Sequence, residues 1–396
     1  MRSASILIKP ASSNCNMDCK YCFYKVLSSN REEYDKGFMS YETLEKLVRE
    51  GIAYVDESLT FAFQGGEPTL AGLDFYRKVI ELQQKYNTKN IRIENTIQTN
   101  GYCMDETWAE FLAEHHFLVG LSLDGPKKLH NSCRIDYRGE GTFDRVMHAA
   151  ALLRQYRVDF NILTVVTEQL TTKAEYLYKF YQRNDFHYVQ LIPCMDERER
   201  CGQCTSSKDA EDTNGAVKAE SYGKFLCEMF DLWYEDFMDG GETDIRMFSN
   251  LARMAAGYPA EECGMNGCCN CYFVVEGDGS VYPCDFYCTD EWKLGMVGEP
   301  FEEMIRSKRA VDFVKNGSVS CGSAMSGSDT SCRDCASFSL CRGGCRRWRE
   351  QQKGVYGRNK LCAGYQIFFP YIKERILGLG ELIASKYGRG DNKIKE

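Results

Sequence analysis

The chain has 396 residues and a net charge of −8, from 49 Lys and Arg against 57 Asp and Glu, and 43% of its residues are hydrophobic. This composition excludes a disordered or collagen-like protein, and the acidic balance disfavours a nucleic-acid binder, which usually carries a basic surplus. The outlying feature is 21 cysteines against 5 histidines. Because neither a signal peptide nor an apolar run of about 18 residues is evident, we expect a cytoplasmic protein whose clustered thiols bind metal.

The first half of the chain alternates short β-rich runs with helical patterns, which predicts parallel strands joined by right-handed crossovers. The predicted strands are Ile6–Lys9, Thr60–Phe63, Ile91–Ile97, Leu118–Leu123, Phe160–Val166 and Tyr188–Ile192. The predicted helices are Tyr41–Tyr54, Asp74–Tyr86, Glu106–His115, Phe143–Tyr156 and Thr172–Asn184. Six strand–helix units are too few for a closed eight-stranded barrel, so the sequence predicts an α/β fold with an open, partial (β/α)6 barrel.

The second half of the chain has a different texture. A charged stretch at 196–220 predicts a loop, and a helix is expected at Ser221–Met238. Twelve of the 21 cysteines lie between Cys263 and Cys362, where Gly-Asp-Gly at 277–279 separates two strands of a predicted hairpin. The segment Gly317–Ser331 is expected to be a loop and Tyr387–Glu396 a fraying end. We therefore expect three parts, at residues 1–235, 236–370 and 371–396.

The first cysteine cluster follows the first predicted strand directly, as Cys15-x3-Cys19-x2-Cys22. Three thiolates in one tight loop can bind three corners of a cubane iron–sulfur cluster and leave the fourth iron open to a small molecule. The residues alone also allow a zinc knuckle that takes its fourth ligand from elsewhere in the chain.

The aromatic Phe23, one place past the third cysteine, completes a loop that resembles the signature of the radical S-adenosylmethionine (SAM) enzymes. The resemblance implies a [4Fe-4S] cluster that binds SAM, and it implies a glycine-rich turn after the second strand, which Gln64-Gly-Gly-Glu67 supplies. We expect contacts with the substrate from Gln98 and Asn100. The residues expected to contact SAM are Tyr21, Tyr24, Gln64, Gly65, Gly66, Glu67, Ser122, Arg134 and Met195.

The second cysteine cluster reads Cys269-x9-Gly-x4-Cys284, then Cys332-x2-Cys335-x5-Cys341-x3-Cys345, then Cys362, and its spacing matches the SPASM extension of peptide-modifying radical SAM enzymes. With Cys263 added, eight thiolates suffice for two further [4Fe-4S] clusters. The resemblance assigns Cys263, Cys269, Cys284 and Cys345 to the nearer cluster, and Cys332, Cys335, Cys341 and Cys362 to the distal one. Structural zinc remains an alternative, and Cys201, Cys204, Cys268 and Cys271 receive no role.

Longer stretches are similar to one family, the anaerobic sulfatase-maturating enzymes, and the similarity extends from about residue 5 to about residue 370. It is carried by Leu7–Ser13, Phe61–Gly72, Phe230–Phe237, Cys263–Gly267, Phe273–Glu276 and Asp278–Tyr287. The chain departs from the family in 196–219, which contains Cys201 and Cys204, and in 317–331.

This second resemblance implies oxidation of a cysteine, or of a serine in some members, to Cα-formylglycine in a Cys/Ser-x-Pro-x-Arg motif of a nascent sulfatase. A 5′-deoxyadenosyl radical would take the Cβ hydrogen, and Asp285, which follows Cys284 directly, matches the family's catalytic base. Three [4Fe-4S] clusters, SAM, an unfolded sulfatase chain and a low-potential donor such as flavodoxin or ferredoxin would be required. Nucleic acid and membrane are not expected as partners.

Two other functions remain compatible with the sequence. The same clusters serve enzymes that modify a ribosomally made peptide differently, for example by thioether crosslinking. A zinc-stabilised binding protein without redox chemistry would use the same cysteines as structural ligands.

Overall fold

The structure is a computed structural model that describes residues 2–195, 215–317, 332, 334–352 and 355–388. Of the expected loop at 196–220, residues 196–214 lie outside the described part of the chain, and these include Cys201 and Cys204. The expected loop at 317–331 after Gly317 and the end of the chain after 388 also lie outside. The described residues form two compact units, one comprising 2–163 and 271–313, the other 164–195, 215–270 and 314–388.

Strands and helices alternate along the first 195 residues, as the sequence predicts. The strands are β1 (Ser3–Ile8), β2 (Ser58–Phe63), β3 (Arg92–Thr99), β4 (Leu118–Ser122), β5 (Phe160–Val166) and β6 (Tyr188–Pro193). The helices are α1 (Phe23–Ser29), α2 (Tyr41–Tyr54), α3 (Leu73–Tyr86), α4 (Glu106–Glu114), α5 (Lys127–Cys133), α6 (Phe143–Gln155) and α7 (Ala174–Arg183).

The remainder of the chain is mainly helical with short strands. Its helices are α8 (Ala219–Met238), α9 (Arg246–Ala255), α10 (Phe301–Arg306), α11 (Lys308–Gly317), α12 (Phe338–Cys341), α13 (Arg346–Arg349) and α14 (Cys362–Tyr387). Its strands are β7 (Asp244–Ile245), β8 (Phe273–Val275), β9 (Ser280–Tyr282), β10 (Gly295–Met296), β11 (Glu350–Gln352) and β12 (Val355–Tyr356).

The sheet of the first unit is open, with the strand order β10-β9-β8-β1-β2-β3-β4-β5. Strands β1 to β5 are parallel to their neighbours, and β8 adds to the free edge of β1 in parallel, with Ile6 opposite Phe273. The predicted hairpin is confirmed, because β8 and β9 pair antiparallel. The carboxyl ends of the neighbouring strands β8, β1 and β2 therefore meet at one edge of the sheet, where parallel α/β proteins place their chemistry.

Local sequence accounts for these elements. Strand β2 alternates half-buried and buried residues, with Leu59, Phe61 and Phe63 turned into the core. Ser40 caps the start of helix α2, because its hydroxyl accepts a hydrogen bond from the Thr43 backbone N–H. Hydrophobic side chains at helical spacing then fix the buried face of α2, and they are Leu44, Leu47, Val48 and Ile52.

In the second unit, α14 packs along α8 and α9. The approach of α14 to α8 is close because both helices carry glycine at the contact: a Cβ on Gly223 would lie 2.4 Å from the Gly364 carbonyl oxygen. In this unit β6 and β7 pair in parallel. Among the described residues, no helix is both long and apolar enough to cross a membrane.

Candidate active site

The first cysteine loop lies between β1 and α1, and its backbone is hydrogen-bonded to the end of α5 and to the segment that follows it. The backbone N–H of Asp18 donates to the Ile135 carbonyl at 2.8 Å, and that of Lys20 to the Cys133 carbonyl at 3.0 Å. Burial raises the pKa of Cys15 to about 12, and the nearby thiols of Cys22 and Cys19 contribute to that rise. The three predicted ligands therefore lie close together in one anchored loop.

The glycine turn after β2 is tightly packed against the segment that follows β1. Gly65 and Gly66 have φ of 95° and 54°, which favours glycine. A Cβ on Gly66 would lie 2.2 Å from the Asn14 carbonyl oxygen, and one on Gly65 would lie 2.6 Å from Cγ of Lys9. The two glycines thus allow β2 to end against the backbone just before Cys15 and against the Lys9 side chain.

Glu67, expected to contact SAM, is buried and has its carboxylate bonded by the protein. It accepts hydrogen bonds from the Thr69 hydroxyl and backbone, from the Thr99 hydroxyl, and from the Asn100 backbone at 2.8 Å. Burial raises the pKa of Glu67, and these donors oppose the rise. Glu67, just after β2, is therefore hydrogen-bonded to the end of β3.

Three residues near the cysteine loop form a cluster, in which Arg134 and Asp124 are buried and Tyr21 is half-buried. The Arg134 guanidinium lies 3.0 Å from the Asp124 carboxylate, Tyr21 donates its hydroxyl to the same carboxylate, and the guanidinium carbon lies 5.5 Å from the Tyr21 ring centre. His130 supports the cluster, since its Nδ1 accepts the Asp124 backbone N–H at 3.3 Å. The sequence predicts roles for Arg134 and Tyr21 but assigns none to Asp124, although Asp124 lies two residues after Ser122, another expected SAM contact.

The remaining predicted contacts are spread over the strand ends. Asn100 bonds the cysteine loop, with its amide nitrogen 2.8 Å from Oδ1 of Asn16 and 3.7 Å from Sγ of Cys15. Gln98 lies in β3 and is half-buried, and Ser122 ends β4 and is buried. Met195 follows β6 in the other unit. The structure thus brings Asn100 to the cysteine loop, while the roles of Gln98, Ser122 and Met195 stay predictions.

Asp285, the expected base, begins a short turn after β9 and is 4% exposed. One carboxylate oxygen accepts the Tyr24 hydroxyl at 2.7 Å and the Gln64 side-chain amide at 3.2 Å. The other oxygen lies 2.8 Å from the ammonium of Lys9. Gln64 also donates to the Tyr24 hydroxyl at 2.8 Å, so that two residues predicted to contact cofactor or substrate surround the predicted base.

Sequence reasoning missed the buried charges behind Asp285. The Lys9 ammonium also lies 3.2 Å from Glu276, and Glu276 lies 2.7 Å from Arg31. Burial alone would lower the pKa of Lys9, but the charges of Asp285, Cys288 and Glu276 raise it. Burial alone would raise the pKa of Glu276, but Lys9 and Arg31 lower it. Acidic and basic side chains thus alternate in the order Asp285, Lys9, Glu276 and Arg31, which we call the buried charge row.

A signal for the row was present in the sequence. Lys9 and Glu276 each directly follow a short apolar strand, Ile-Leu-Ile and Phe-Val-Val, as Gln64 follows Phe63. Polar residues at that position of parallel strands face the functional edge of the sheet. Only Gln64 was interpreted in that way.

The cysteines predicted to hold the auxiliary clusters lie in both units. In the second unit, burial raises the pKa of Cys341 to about 12, and the nearby Cys362, Cys332 and Cys335 add to the rise. Burial likewise raises the pKa of Cys263 to about 12, with Cys345 and Cys269 contributing. Thiols assigned to the same cluster are thus neighbours there. Cys284 lies in the first unit, with its Sγ 3.7 Å from the Tyr272 hydroxyl.

These donor sets fit iron–sulfur clusters, since grouped thiolates are the ligands such clusters use and a set of three leaves one iron open. A sequence model described as the radical SAM superfamily matches residues 10–180, and one described as an iron-sulfur cluster-binding domain, SPASM, matches residues 267–336. Fold and site together therefore define a radical SAM protein that binds SAM, an open-site [4Fe-4S] cluster and auxiliary clusters.

Comparison with individual relatives defines the family within this class more narrowly. The cysteine-type anaerobic sulfatase-maturating enzyme of Clostridium perfringens is 43% identical over 97% of this chain and all of its own length. A solved structure described as native anSMEcpe with bound AdoMet and Cp18Cys peptide has a TM-score of 0.86 at 42% identity, over 96% of this chain and 100% of that one. The serine-type enzyme of Bacteroides thetaiotaomicron is 32% identical over 93% of this chain and 89% of its length. The chain belongs to the anaerobic sulfatase-maturating enzymes.

Proposed function

We propose that this enzyme oxidises a cysteine in a Cys-x-Pro-x-Arg motif of an unfolded sulfatase chain to Cα-formylglycine, with Asp285 as the base. The observation that carries the proposal is the setting of Asp285, buried and fixed by Tyr24, Gln64 and Lys9 directly after Cys284. Preference for cysteine over serine is supported by the higher identity to the cysteine-type relative, 43% against 32%.

The reaction requires the substrate side chain to lose a Cβ hydrogen atom, the thiol proton and one electron. Asp285 accepts the thiol proton, and a C=S double bond forms as the electron leaves. Water then replaces sulfur at the thioaldehyde carbon and releases hydrogen sulfide, which leaves the aldehyde of formylglycine. Tyr24 and Gln64 fix the accepting carboxylate, as general-base catalysis demands.

When bound, SAM and its cluster supply the 5′-deoxyadenosyl radical that takes the Cβ hydrogen, and the auxiliary clusters supply an acceptor for the electron. Cys15, Cys19 and Cys22 would hold the first cluster. The nearer auxiliary cluster would take Cys263, Cys269, Cys284 and Cys345, and the distal one Cys332, Cys335, Cys341 and Cys362. We propose SAM contacts from the glycine turn (Gln64–Glu67), Tyr21, Ser122, Arg134 and Met195.

The physiological setting follows from this chemistry. A sulfatase peptide is the proposed substrate, as supported by the Cys peptide bound in the related structure. We propose the cytoplasm as the location and a flavodoxin or ferredoxin as the electron donor, because reductive cleavage of SAM needs a low potential. The three-part division at 235 and 370 stays a prediction.

The test is a mass measurement on a synthetic peptide. Reduced, reconstituted enzyme with SAM and a Cys-x-Pro-x-Arg peptide should produce a loss of about 18 Da, the mass change from cysteine to formylglycine. The Ser-x-Pro-x-Arg peptide is the matched control and should react more slowly. A loss of about 2 Da from the cysteine peptide, without conversion to aldehyde, would instead support crosslinking chemistry.

A further inference from the structure

We propose that Lys9 is a positioning residue of the reaction, whose ammonium fixes the orientation of the Asp285 carboxylate for proton transfer. The inference rests on the proposed role of Asp285 as the base. It concerns a residue that sequence reasoning did not place in the site.

The two carboxylate oxygens of Asp285 contact different partners. Lys9 lies 2.8 Å from Oδ1, while Tyr24 and Gln64 donate to Oδ2 at 2.7 and 3.2 Å. A carboxylate fixed at only one oxygen can turn about its Cβ–Cγ bond. Lys9 supplies the second point of attachment, through an ion pair between two buried groups.

Lys9 is itself held in place along its whole length. Its alkyl chain passes over Gly65, which has no Cβ to block it, and its ammonium lies 4.7 Å from the Tyr24 ring centre. Glu276 contacts the ammonium at 3.2 Å and is anchored by Arg31 and by the Ser12 hydroxyl at 2.9 Å. The side chain is 1% exposed, so little freedom remains to it.

The buried charge row also fixes the backbone that carries the base. Arg31 donates from Nε to the Cys288 carbonyl at 2.6 Å, at the end of the turn that Asp285 begins. At the start of the turn, the Asp285 backbone N–H donates to the Tyr272 hydroxyl at 3.2 Å. The row thus holds both the carboxylate and its turn.

Stability of the core alone does not explain the buried charge row. Buried ion pairs lose solvation that their attraction only partly returns, and apolar residues of similar volume often stabilise a core as well or better. The row ends on the proposed base, so the geometry that it imposes on Asp285 is the better explanation for burying these groups.

The test compares Lys9→Met, which keeps the length and removes the charge, with Lys36→Met. Lys36 is also a partly buried cation on the loop beside Ser12, but it pairs with Glu33 and Asp278 instead. For Lys9→Met we expect kcat for formylglycine to fall at least about 30-fold, because the Asp285 carboxylate would lose the buried ion pair that holds its Oδ1. The KM for the peptide should change less than about threefold, because Lys9 acts on the base and not on binding.

A second readout separates positioning from general damage. If only proton transfer is impaired, Lys9→Met should still release 5′-deoxyadenosine, so the ratio of formylglycine to 5′-deoxyadenosine falls while Lys36→Met keeps the wild-type ratio. Iron content and cluster absorption are measured for each variant. A cluster-loaded Lys9→Met enzyme with the wild-type kcat and ratio would overturn the proposal.

If Lys9→Met fails to fold, the double variant Lys9→Met/Glu276→Gln replaces it, because it removes one acidic and one basic group and so keeps equal numbers of each in the buried charge row. It should load clusters and remain slow. Recovery of the wild-type rate in the double variant would show that the single variant suffered only from a buried charge, and the proposal would fall. Failure of the wild-type enzyme to form formylglycine contradicts the proposed function instead, so the two failures are distinguishable.

Discussion

Asp285 is the residue on which the proposed chemistry depends, and its contacts make a sharp substitution available. Asp285→Asn keeps an oxygen that can accept from Tyr24 and Gln64 but removes the base. We expect formylglycine formation to fall at least about 100-fold, the usual contribution of a general base, while 5′-deoxyadenosine is still released. Peptide mass and nucleoside are quantified in one anaerobic assay.

The matched control is Asp278→Asn, an aspartate of the β8–β9 turn whose side chain bonds Ser280 and lies outside the buried charge row. It should retain the wild-type rate. An Asp285→Asn enzyme with intact clusters and unchanged turnover would remove Asp285 from the mechanism.

Gly66 offers a second prediction for a single residue. Gly66→Ala would bring a Cβ to 2.2 Å from the Asn14 carbonyl at a φ of 54°, so the cysteine loop would have to shift. We expect a loss of about 1–3 kcal/mol in stability and reduced iron in the first cluster. Iron per chain and the melting temperature measure both.

Gly72→Ala is the control that separates the effect of backbone strain at positive φ from the effect of a close contact. Gly72 also has a positive φ, of 81°, but nothing lies within 4 Å of its Cβ position. This variant should lose less stability and keep its iron. Equal losses in the two variants would mean that the close approach to Asn14 is unimportant.

For single residues, the sequence predicts which motifs belong to the site but not which side chains contact one another there. Asp285, Tyr24 and Gln64 were named separately, and the structure brings them together. Lys9 and Glu276 receive no role in the site from the sequence, because a charged residue beside a strand usually marks a solvated end. Their burial results from pairing between β1 and β8, which no local pattern encodes.

The elements themselves were largely predictable. The alternation of apolar runs gave all six strands of the first half, within three residues at each end, because parallel strands are buried on both faces. The short helices α1 and α5 were missed, since seven residues are too few to show a helical period. The addition of β8 to the edge of β1 was also missed, because it depends on a partner distant in the sequence.

The contact between α8 and α14 leads to a prediction at the scale of helices. In Gly223→Ala the added methyl would lie 2.4 Å from the Gly364 carbonyl, so the helices must separate. We expect the free energy of unfolding to fall by about 1–3 kcal/mol, as in overpacked cores. A lower melting temperature of the reconstituted enzyme is the readout.

Gly378→Ala is the control for this helix pair. It lies within α14 with nothing inside 4 Å of its Cβ position, so alanine should stabilise by about 0.5–1 kcal/mol through better helix propensity. If Gly223→Ala matched Gly378→Ala in melting temperature, the helices would not depend on glycine to approach.

For the whole molecule, the division of the cysteines predicts the iron content. Three [4Fe-4S] clusters correspond to about 12 iron atoms per chain. Removing the first cluster with Cys19→Ala/Cys22→Ala should leave about 8 iron atoms and abolish SAM cleavage. Cys341→Ala should also leave about 8 but retain some SAM cleavage, since the first cluster is untouched.

Cys227→Ala, on α8 and outside both cysteine clusters, is the control and should keep the full iron content. A preparation containing zinc in place of iron at the C-terminal cysteines would contradict the assignment of auxiliary clusters.

The central claim is that the enzyme takes a hydrogen from the Cβ of a peptide cysteine and completes its oxidation to formylglycine. The most direct measurement uses a Cys-x-Pro-x-Arg peptide deuterated at the cysteine Cβ and follows 5′-deoxyadenosine by mass spectrometry. We expect one deuterium in the nucleoside for each formylglycine formed. Formylglycine accompanied by unlabelled 5′-deoxyadenosine would contradict the central claim.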